Sequence, residues 1–293
     1  MRLLLKFISL QDVEYKQIHR YLIHGFIYNL LRDTEFAWLH SYKGFKFFNF
    51  SNIFPVENLK TDKEYNLIIS SPNRKLIEVL YKKLKEIEFF KLGIFEFKLI
   101  KLKKFDLKLD FPWETATPII LKKGFNVYLS DGFSIIKVFS KTLDHFKEFK
   151  KEKIKVSGEI KEISLHDIKL LDKNKFRIVK IDDVYYDFRK NDSFFDWLND
   201  LKENSLLKFK AFTGSEFYFE EPLFDEFEYR KEISVKARLK ERGDVVYIGT
   251  LWKKLNVLRK LDNEEKRFYK FLLDTGLGIL NSMGFGFVNV KNK

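Results

Sequence analysis

The feature that most limits how this chain can fold is the order in which its hydrophobic period changes between Arg2 and Leu102. Residues Arg2 to Ile8 read as a short strand, and from Asp12 the spacing turns helical, with Ile18, Leu22, Ile23, Phe26, Ile27, Leu30 and Leu31 on one broad apolar arc. Phe45 to Phe50 and Tyr65 to Ser70 read as strands, the second running into Ser71-Pro72, a good helix start. Leu76, Ile77, Leu80, Leu84 and Ile87 then share a helical face, and Leu92 to Leu102 returns to strand. Strand, helix, strand, strand, helix, strand is the order of a ferredoxin-like unit, a four-stranded antiparallel sheet with two helices on one face. A domain over residues 1–110 is expected on this pattern.

A second copy follows. The lysine- and acid-rich stretch Lys103 to Glu114, punctuated by Pro112 and Pro118, marks the boundary. Beyond it Ile119 to Leu129 reads as a bent strand or strand pair, and Asp192-Ser193 caps a helix carrying Phe194, Phe195, Leu198 and Leu201. Glu228 to Leu239 and Val245 to Leu251 flank an Arg242-Gly243 turn, and Asp262 with Glu265 three residues on opens another helix as a capping box. Phe285 to Val290 is the last strand. Residues 132–191 exceed what the pattern needs and read as an insertion, β-rich in the runs Lys153 to Ile163 and Phe176 to Phe188. The expectation is an α+β protein of two tandem ferredoxin-like (RRM-like) domains, 1–110 and 111–293, the second with an insertion.

Charge narrows the partner. Fifty-five Lys plus Arg against 42 Asp plus Glu leave +13, which attracts phosphate backbones or anionic membranes. Yet 44 of those cations are Lys and only 11 Arg, and Gln occurs twice, a profile that an AT-rich genome or a hot habitat also produces. Composition therefore suggests nucleic acid without establishing it. The absence of cysteine excludes disulfide scaffolds, thiolate nucleophiles, zinc fingers and iron–sulfur clusters. No apolar run approaches the ~18 residues of a membrane span, and the N-terminus lacks a cleavable leader pattern. A soluble cytoplasmic protein without a membrane partner is expected.

Four of the 13 glycines fall in eleven positions, Gly276-Leu277-Gly278 and Gly284-Phe285-Gly286, between a helix and the last strand. Glycine lets backbone N–H groups approach a ligand, which suits a phosphate cradle. The spacing is not that of a Rossmann turn, which opens a helix, nor of a P-loop, which needs Lys-Ser/Thr. One such pair would be a helix C-cap at Gly276 and a tight connection. Two Gly-hydrophobic-Gly units at the end of a second ferredoxin-like domain resemble the glycine-rich loop of the sixth Cas family, the CRISPR-associated endoribonucleases that cut repeat RNA.

The resemblance extends to the N-terminal half. That family carries a Gly-hydrophobic-hydrophobic-Tyr helix segment followed by a catalytic histidine and, six residues later, a lysine. Here Gly25-Phe26-Ile27-Tyr28 is followed by His40 and, through Ser41-Tyr42-Lys43-Gly44-Phe45, by Lys46. It covers both ends of the chain well and the middle poorly. It implies Tyr28, His40 and Lys46 as a metal-independent triad that cleaves CRISPR repeat RNA, single-stranded or hairpin, by 2′-hydroxyl attack, leaving a 2′,3′-cyclic phosphate and a 5′-hydroxyl. It implies no cofactor and no metal, and points to other Cas subunits and a homodimer as protein partners.

Elementary chemistry supports these residue types without selecting them. Histidine, ordinarily near pKa 6.5, exchanges protons at neutral pH; a lysine can stabilise non-bridging phosphate oxygens, and a tyrosine can position the phosphate or the hydroxyl. His40 could equally sit at the negative end of a short helix over Glu35 to His40. Tyr21, His24, Tyr28 and Arg32 fall on one stripe at 100° per residue, so that His24 is the rival base. His19 lies in the apolar arc, His145 in a lysine-rich segment, and His166-Asp167 reads as a solvated loop pair. His19 and His24 are five apart, not three or four, so no metal pair is expected.

For RNA binding the candidates are Gly276, Gly278, Gly284 and Gly286, the pair Lys253-Lys254, Arg259-Lys260, and the run Lys98, Lys101, Lys103, Lys104 and Lys108. Two other readings stay open: a catalytically inactive repeat-RNA-binding subunit on the same fold, and a basic protein associated with DNA or membranes.

Overall fold

The computed structural model describes residues 1–152, 159–239 and 243–291. They form two compact units, Met1–Leu121 with Asp187–Lys293, and Lys122–Tyr186.

The first half of the larger unit runs β1 (Arg2–Ser9), α1 (Arg20–Leu31), β2 (Asn49–Phe50), β3 (Glu64–Ser70), α2 (Arg74–Lys85), β4 (Phe89–Leu92) and β5 (Phe95–Phe105). The sheet order is β2-β3-β1-β5-β4, with β1 antiparallel to both β3 and β5. Taking β5 as the fourth strand, this is the second-third-first-fourth order of a ferredoxin-like sheet. Leu3, Leu5 and Phe7 of β1 are fully buried while Leu4, Lys6 and Ile8 alternate with them half-exposed, the period of a sheet with one covered face. Helices α1 and α2 supply the cover through Ile23, Phe26, Ile27, Leu31, Leu76, Ile77, Leu80 and Leu84. Truncating one of these to Ala removes roughly 2–5 kcal/mol of packing. Two expectations change in detail. The helix expected from Asp12 begins only at Arg20, after a 3-10 turn at Tyr15–Gln17. The strand expected over Leu92 to Leu102 is the second arm of a hairpin, because Gly93 takes φ +65° and turns the chain between Leu92 and Phe95.

The second half repeats the order. Strands β6 (Trp113–Thr115) and β7 (Ile119–Ile120) open it. After the smaller unit's four strands, β8 (Lys122–Ser130), β9 (Ile135–Ser140), β10 (Ile160–Ile163) and β11 (Arg177–Tyr185), come α3 (Phe194–Thr213), β12 (Glu226–Leu239), β13 (Gly243–Asn256), α4 (Asn263–Thr275) and β14 (Val288–Val290). The sheet is β12-β13-β6-β14, with β7 also on β13, again second-third-first-fourth. Ser193 caps α3 by accepting from the Asp196 N–H, and the Asp262/Glu265 box closes reciprocally at 2.8 and 3.0 Å. The opening strand differs from the bent Ile119–Leu129 strand expected. It lies earlier, at β6 and β7, separated at Pro118, which has no N–H to give a ladder.

The smaller unit holds the sheet β10-β9-β8-β11, antiparallel except for the β9–β10 pair, over a core that includes Val127, Leu129, Val138, Phe146 and Ile178. The β-rich run expected over Lys153 to Ile163 appears as β10; its residues 153–158, and Arg242 of the expected hairpin turn, lie outside the described residues.

A buried cation is among the contacts that tie the two ferredoxin-like halves of the larger unit. Arg2 is 1% exposed, and its guanidinium donates to the carbonyls of Leu273 (2.8 Å) and Val288 (2.7 Å) at the end of α4 and in β14. Burial pushes its pKa down to about 10, which still leaves it charged at neutral pH.

Candidate active site

Tyr28 is the centre of the site. It occupies the third turn of α1 and is buried in the core cluster, its ring edge-on to Phe48 at 5.9 Å. The 3-10 turn Ala37–His40 passes over it, with the Tyr28 hydroxyl donating to the Leu39 carbonyl at 3.4 Å. That turn brings the His40 ring edge-on to Tyr28 at 5.4 Å and leaves His40 exposed to solvent. The chain then doubles back, and Lys46 Nζ lies 5.0 Å from the centre of the same tyrosine ring. The three residues implied by the resemblance are therefore brought together from positions 28, 40 and 46. Burial pushes the Tyr28 hydroxyl above its ordinary value, so it stays protonated and can donate; burial also pushes the Lys46 ammonium down.

His24, one turn before Tyr28, belongs to the same cluster. Its ring is 4.5 Å from that of Tyr28 and stacked on Tyr21 at 6.0 Å. Its Nδ1 lies 2.8 Å from the carbonyl oxygen of Ser282. Burial, helped by the charges of Lys46 and His40, pushes its pKa down to about 4 against the opposing effect of the Ser282 hydrogen bond. Two cavities meet at this ring. One, of ≈ 560 Å³, is lined by His24, Tyr28, Arg32 and His40; the other, of ≈ 580 Å³, by His24, Lys43, Lys46, Lys208 and the segment Ile279 to Met283. Neither lining contains a carboxylate.

Ser282 belongs to the glycine-rich arch. All four of its glycines are buried and have positive φ. Gly276 caps α4, its N–H donating to the Leu272 carbonyl at 2.7 Å. The closest neighbours of these glycines are protein: a Cβ at Gly286 would collide with the Leu277 carbonyl, and one at Gly284 with the Phe50 ring. The arch is clamped by donors from three elements. Arg20 of α1 donates to the Gly284 carbonyl at 2.5 Å, and Asn49 of β2 to the Phe285 carbonyl at 2.9 Å.

Lys208 of α3, fully buried, donates to the carbonyls of Gly276 (2.7 Å) and Gly278 (3.0 Å) and to the Asn281 side-chain oxygen (3.0 Å). Burial pushes its pKa down to about 7. Sequence reasoning missed Lys208, one lysine among 44; the available signal was a lysine that shares a helical face with Leu201 and Ser205.

Other sequence candidates lie elsewhere. Lys253 and Lys254 sit on β13 and pair across the ladder with Glu228 (2.9 Å) and Glu226 (2.6 Å), bordering neither cavity. Arg259 pairs with Asp225 and Glu265. Lys98 and Lys104 pair with Glu88 and Glu78. His145 and His166 stand in 3-10 turns of the smaller unit. Among the described residues no group of three or more His, Asp or Glu is placed to hold a metal ion.

Residues 170–290 match the family model described as CRISPR associated protein Cas6, C-terminal. CRISPR-associated endoribonuclease Cas6 2 of Methanocaldococcus jannaschii is 33% identical over 298 residues, covering 99% of each chain. The chain belongs to the Cas6 family of CRISPR-associated endoribonucleases. A solved structure titled CRISPR associated protein Cas6 superimposes with a TM-score of 0.61 at 22% identity, covering 100% of this chain and 99% of that one. A RAMP protein described as binding different RNA substrates shares the fold at a TM-score of 0.59 and 16% identity, over the whole of both chains. The tandem ferredoxin-like architecture is thus that of Cas6. No helix among the described residues is long and apolar enough to cross a membrane.

Proposed function

We propose that this Cas6 protein cleaves CRISPR repeat RNA without a metal ion, by attack of the 2′-hydroxyl on the adjacent phosphorus, releasing a 2′,3′-cyclic phosphate and a 5′-hydroxyl. His40 takes part in proton transfer, Lys46 stabilises the charge on the non-bridging oxygens, and Tyr28 donates a hydrogen bond that positions the phosphate. The observation that carries this reading is the convergence of His40 and Lys46 on one buried tyrosine ring, at 5.4 and 5.0 Å. The charge of the linings supports it: cations and neutral donors suit a phosphodiester, whereas Mg²⁺ is held mainly by carboxylate and other oxygens.

The division into 1–110 and 111–293, with an insertion near 132–191, belongs to the same proposal, as does a cytoplasmic location. Repeat RNA, unpaired or hairpin, is the substrate we propose, gripped by the arch around Gly276, Gly278, Gly284 and Gly286 and by Lys253 and Lys254. Other Cas subunits and a second copy of the chain are the proposed protein partners, tested by light scattering with and without RNA. The deciding experiment incubates the protein with its host's repeat RNA in EDTA. Cleavage to a cyclic phosphate, abolished by a 2′-deoxy nucleotide at the scissile position, is expected; cleavage that ignores the 2′-deoxy substitution refutes the mechanism.

A further inference from the structure

Transesterification of RNA requires two proton transfers, one from the 2′-hydroxyl and one to the leaving 5′-oxygen, and two histidines face the cavity beside Tyr28. Their settings differ. His40 ends a solvent-exposed turn, while His24 is held on three sides: Tyr21 stacked at 6.0 Å, Tyr28 edge-on at 4.5 Å, and the Ser282 carbonyl 2.8 Å from Nδ1. A carbonyl oxygen only accepts, so the proton of a neutral His24 resides on Nδ1 and its Nε2 is a bare lone pair. This is the arrangement in which a backbone acceptor fixes the tautomer of a base.

We propose that His24 is the general base of RNA cleavage, taking the 2′-hydroxyl proton on Nε2, while His40 gives the second proton to the leaving 5′-oxygen. The inference rests on the transesterification reading above and deepens it. The 2′-oxygen forms its bond to phosphorus as its proton passes to His24, and the phosphorus–5′-oxygen bond breaks as His40 protonates that oxygen. Charge balances, because one histidine gains the proton that the other gives up.

The surroundings favour a neutral His24 in the free protein. The groups around it are Tyr21, Tyr28 and Arg32 of its own helix, His40, Tyr42, Lys43 and Lys46 from the segment after it, and Lys208 of α3; the arch residues Ile279 to Met283 bring no charge. With burial, the Lys46 and His40 charges hold its pKa at about 4, so the lone pair is available throughout the neutral range. A bound phosphodiester supplies the negative charge that both linings lack and raises the basicity of Nε2 towards that of a working base.

The test is single-turnover cleavage in EDTA by the wild-type protein, His24→Ala, His24→Gln and His40→Ala. Two repeat RNAs are compared, one native and one with sulfur replacing the bridging 5′-oxygen at the scissile phosphate. A thiolate leaves without help from an acid. Loss of a base or an acid should slow native RNA roughly 100-fold or more. RNA affinity should stay within a few-fold of wild type. The sulfur substrate should restore His40→Ala and leave both His24 variants slow.

Wild-type cleavage rates by His24→Ala, or rescue of it by the 5′-thio substrate, overturn the assignment. If both His24 variants misfold, His40→Ala on the 5′-thio substrate decides: a rate close to wild type supports a base other than His40, and a rate as slow as on native RNA overturns the assignment. Wild-type cleavage of 2′-deoxy RNA would instead sink the transesterification reading itself, so the two failures are distinguishable.

Discussion

Lys208 Nζ lies 2.7 Å from the carbonyl oxygen of Gly276, joining the middle of α3 to the residue that ends α4. No carboxylate is among its hydrogen-bond partners, which are the oxygens of Gly276, Gly278 and Asn281. The ammonium is thus a cation solvated by the glycine-rich arch, and the arch is in turn shaped by the cation. Asn281 precedes Ser282, whose carbonyl lies against His24 Nδ1, so an anchor on α3 reaches the His24–Tyr28 cluster on α1 through the arch.

Lys208→Met should destabilise the protein, because two buried carbonyls and the part-buried Asn281 oxygen lose their donor, at about 1–3 kcal/mol for each buried acceptor left unsatisfied. Its pH dependence has a definite sign. Burial lowers the folded-state pKa to about 7, below the ordinary lysine value, so the unfolded chain binds the extra proton between about pH 7 and 10. Stability contributed through this group is therefore lowest below pH 7 and rises as pH climbs through that window. Urea melts at pH 6 and 9 check this, since the rise should shrink in Lys208→Met relative to wild type.

The His24 ring should titrate near pH 4 in the free protein, with its proton on Nδ1 at neutral pH. Histidine-selective nitrogen NMR reads both the tautomer and the titration. Adding an uncleavable 2′-deoxy repeat RNA should move the midpoint upward. A midpoint that stays fixed on saturation would show that the phosphate does not approach this ring.

Gly286→Ala should cost about 2–4 kcal/mol, combining left-handed backbone strain with the collision against the Leu277 carbonyl. Thermal denaturation measures the loss. Cleavage should fall with it, because the displaced arch no longer presents the Ser282 carbonyl to His24. A Gly25→Ala control, where a Cβ meets nothing within 4 Å, should melt within about 1 kcal/mol of wild type.

Tyr28→Phe should leave stability within about 1 kcal/mol, since only a long 3.4 Å hydrogen bond to Leu39 is lost, yet slow cleavage roughly 10–100-fold at unchanged RNA affinity. The buried hydroxyl ionises only well above its ordinary value, so the rate should show no limb from Tyr28 up to pH 10. A filter-binding assay beside single-turnover rates separates the two effects.

Lys253→Ala and Lys254→Ala should each reduce the salt dependence of RNA binding by about 0.7 in the log–log slope if each meets one phosphate of single-stranded RNA. Both lysines already face a cross-strand glutamate, so Glu228→Gln and Glu226→Gln should tighten binding by freeing them. Titrations from low to high salt distinguish a phosphate contact from a lysine engaged only by its glutamate.

The alternation in β1, the α1 and α2 stripes, and the Asp262/Glu265 box all lay within short windows of sequence, and their periods were enough to order the elements. The opening strand of the second half was misread because β6 and β7 are only three and two residues long, too short to establish a period, whereas Lys122–Ser130 is long and alternating but pairs in the other unit. Tyr28, His40 and Lys46 were legible only through spacing shared with a family. The clamp on the arch was not legible at all.

The chain's own pattern fixed two repeats of one strand–helix order, the absence of thiol chemistry, and four glycines where backbone must take positive φ, since period, composition and steric tolerance are local properties. Tertiary structure decided that Lys208 is a buried anchor and not one more surface cation, that the glycines admit protein neighbours at close approach, and that His24 shares a cavity with His40. Burial and hydrogen-bond partners depend on which distant segments pack together, and these set both the protonation of a lysine or histidine and what it can do.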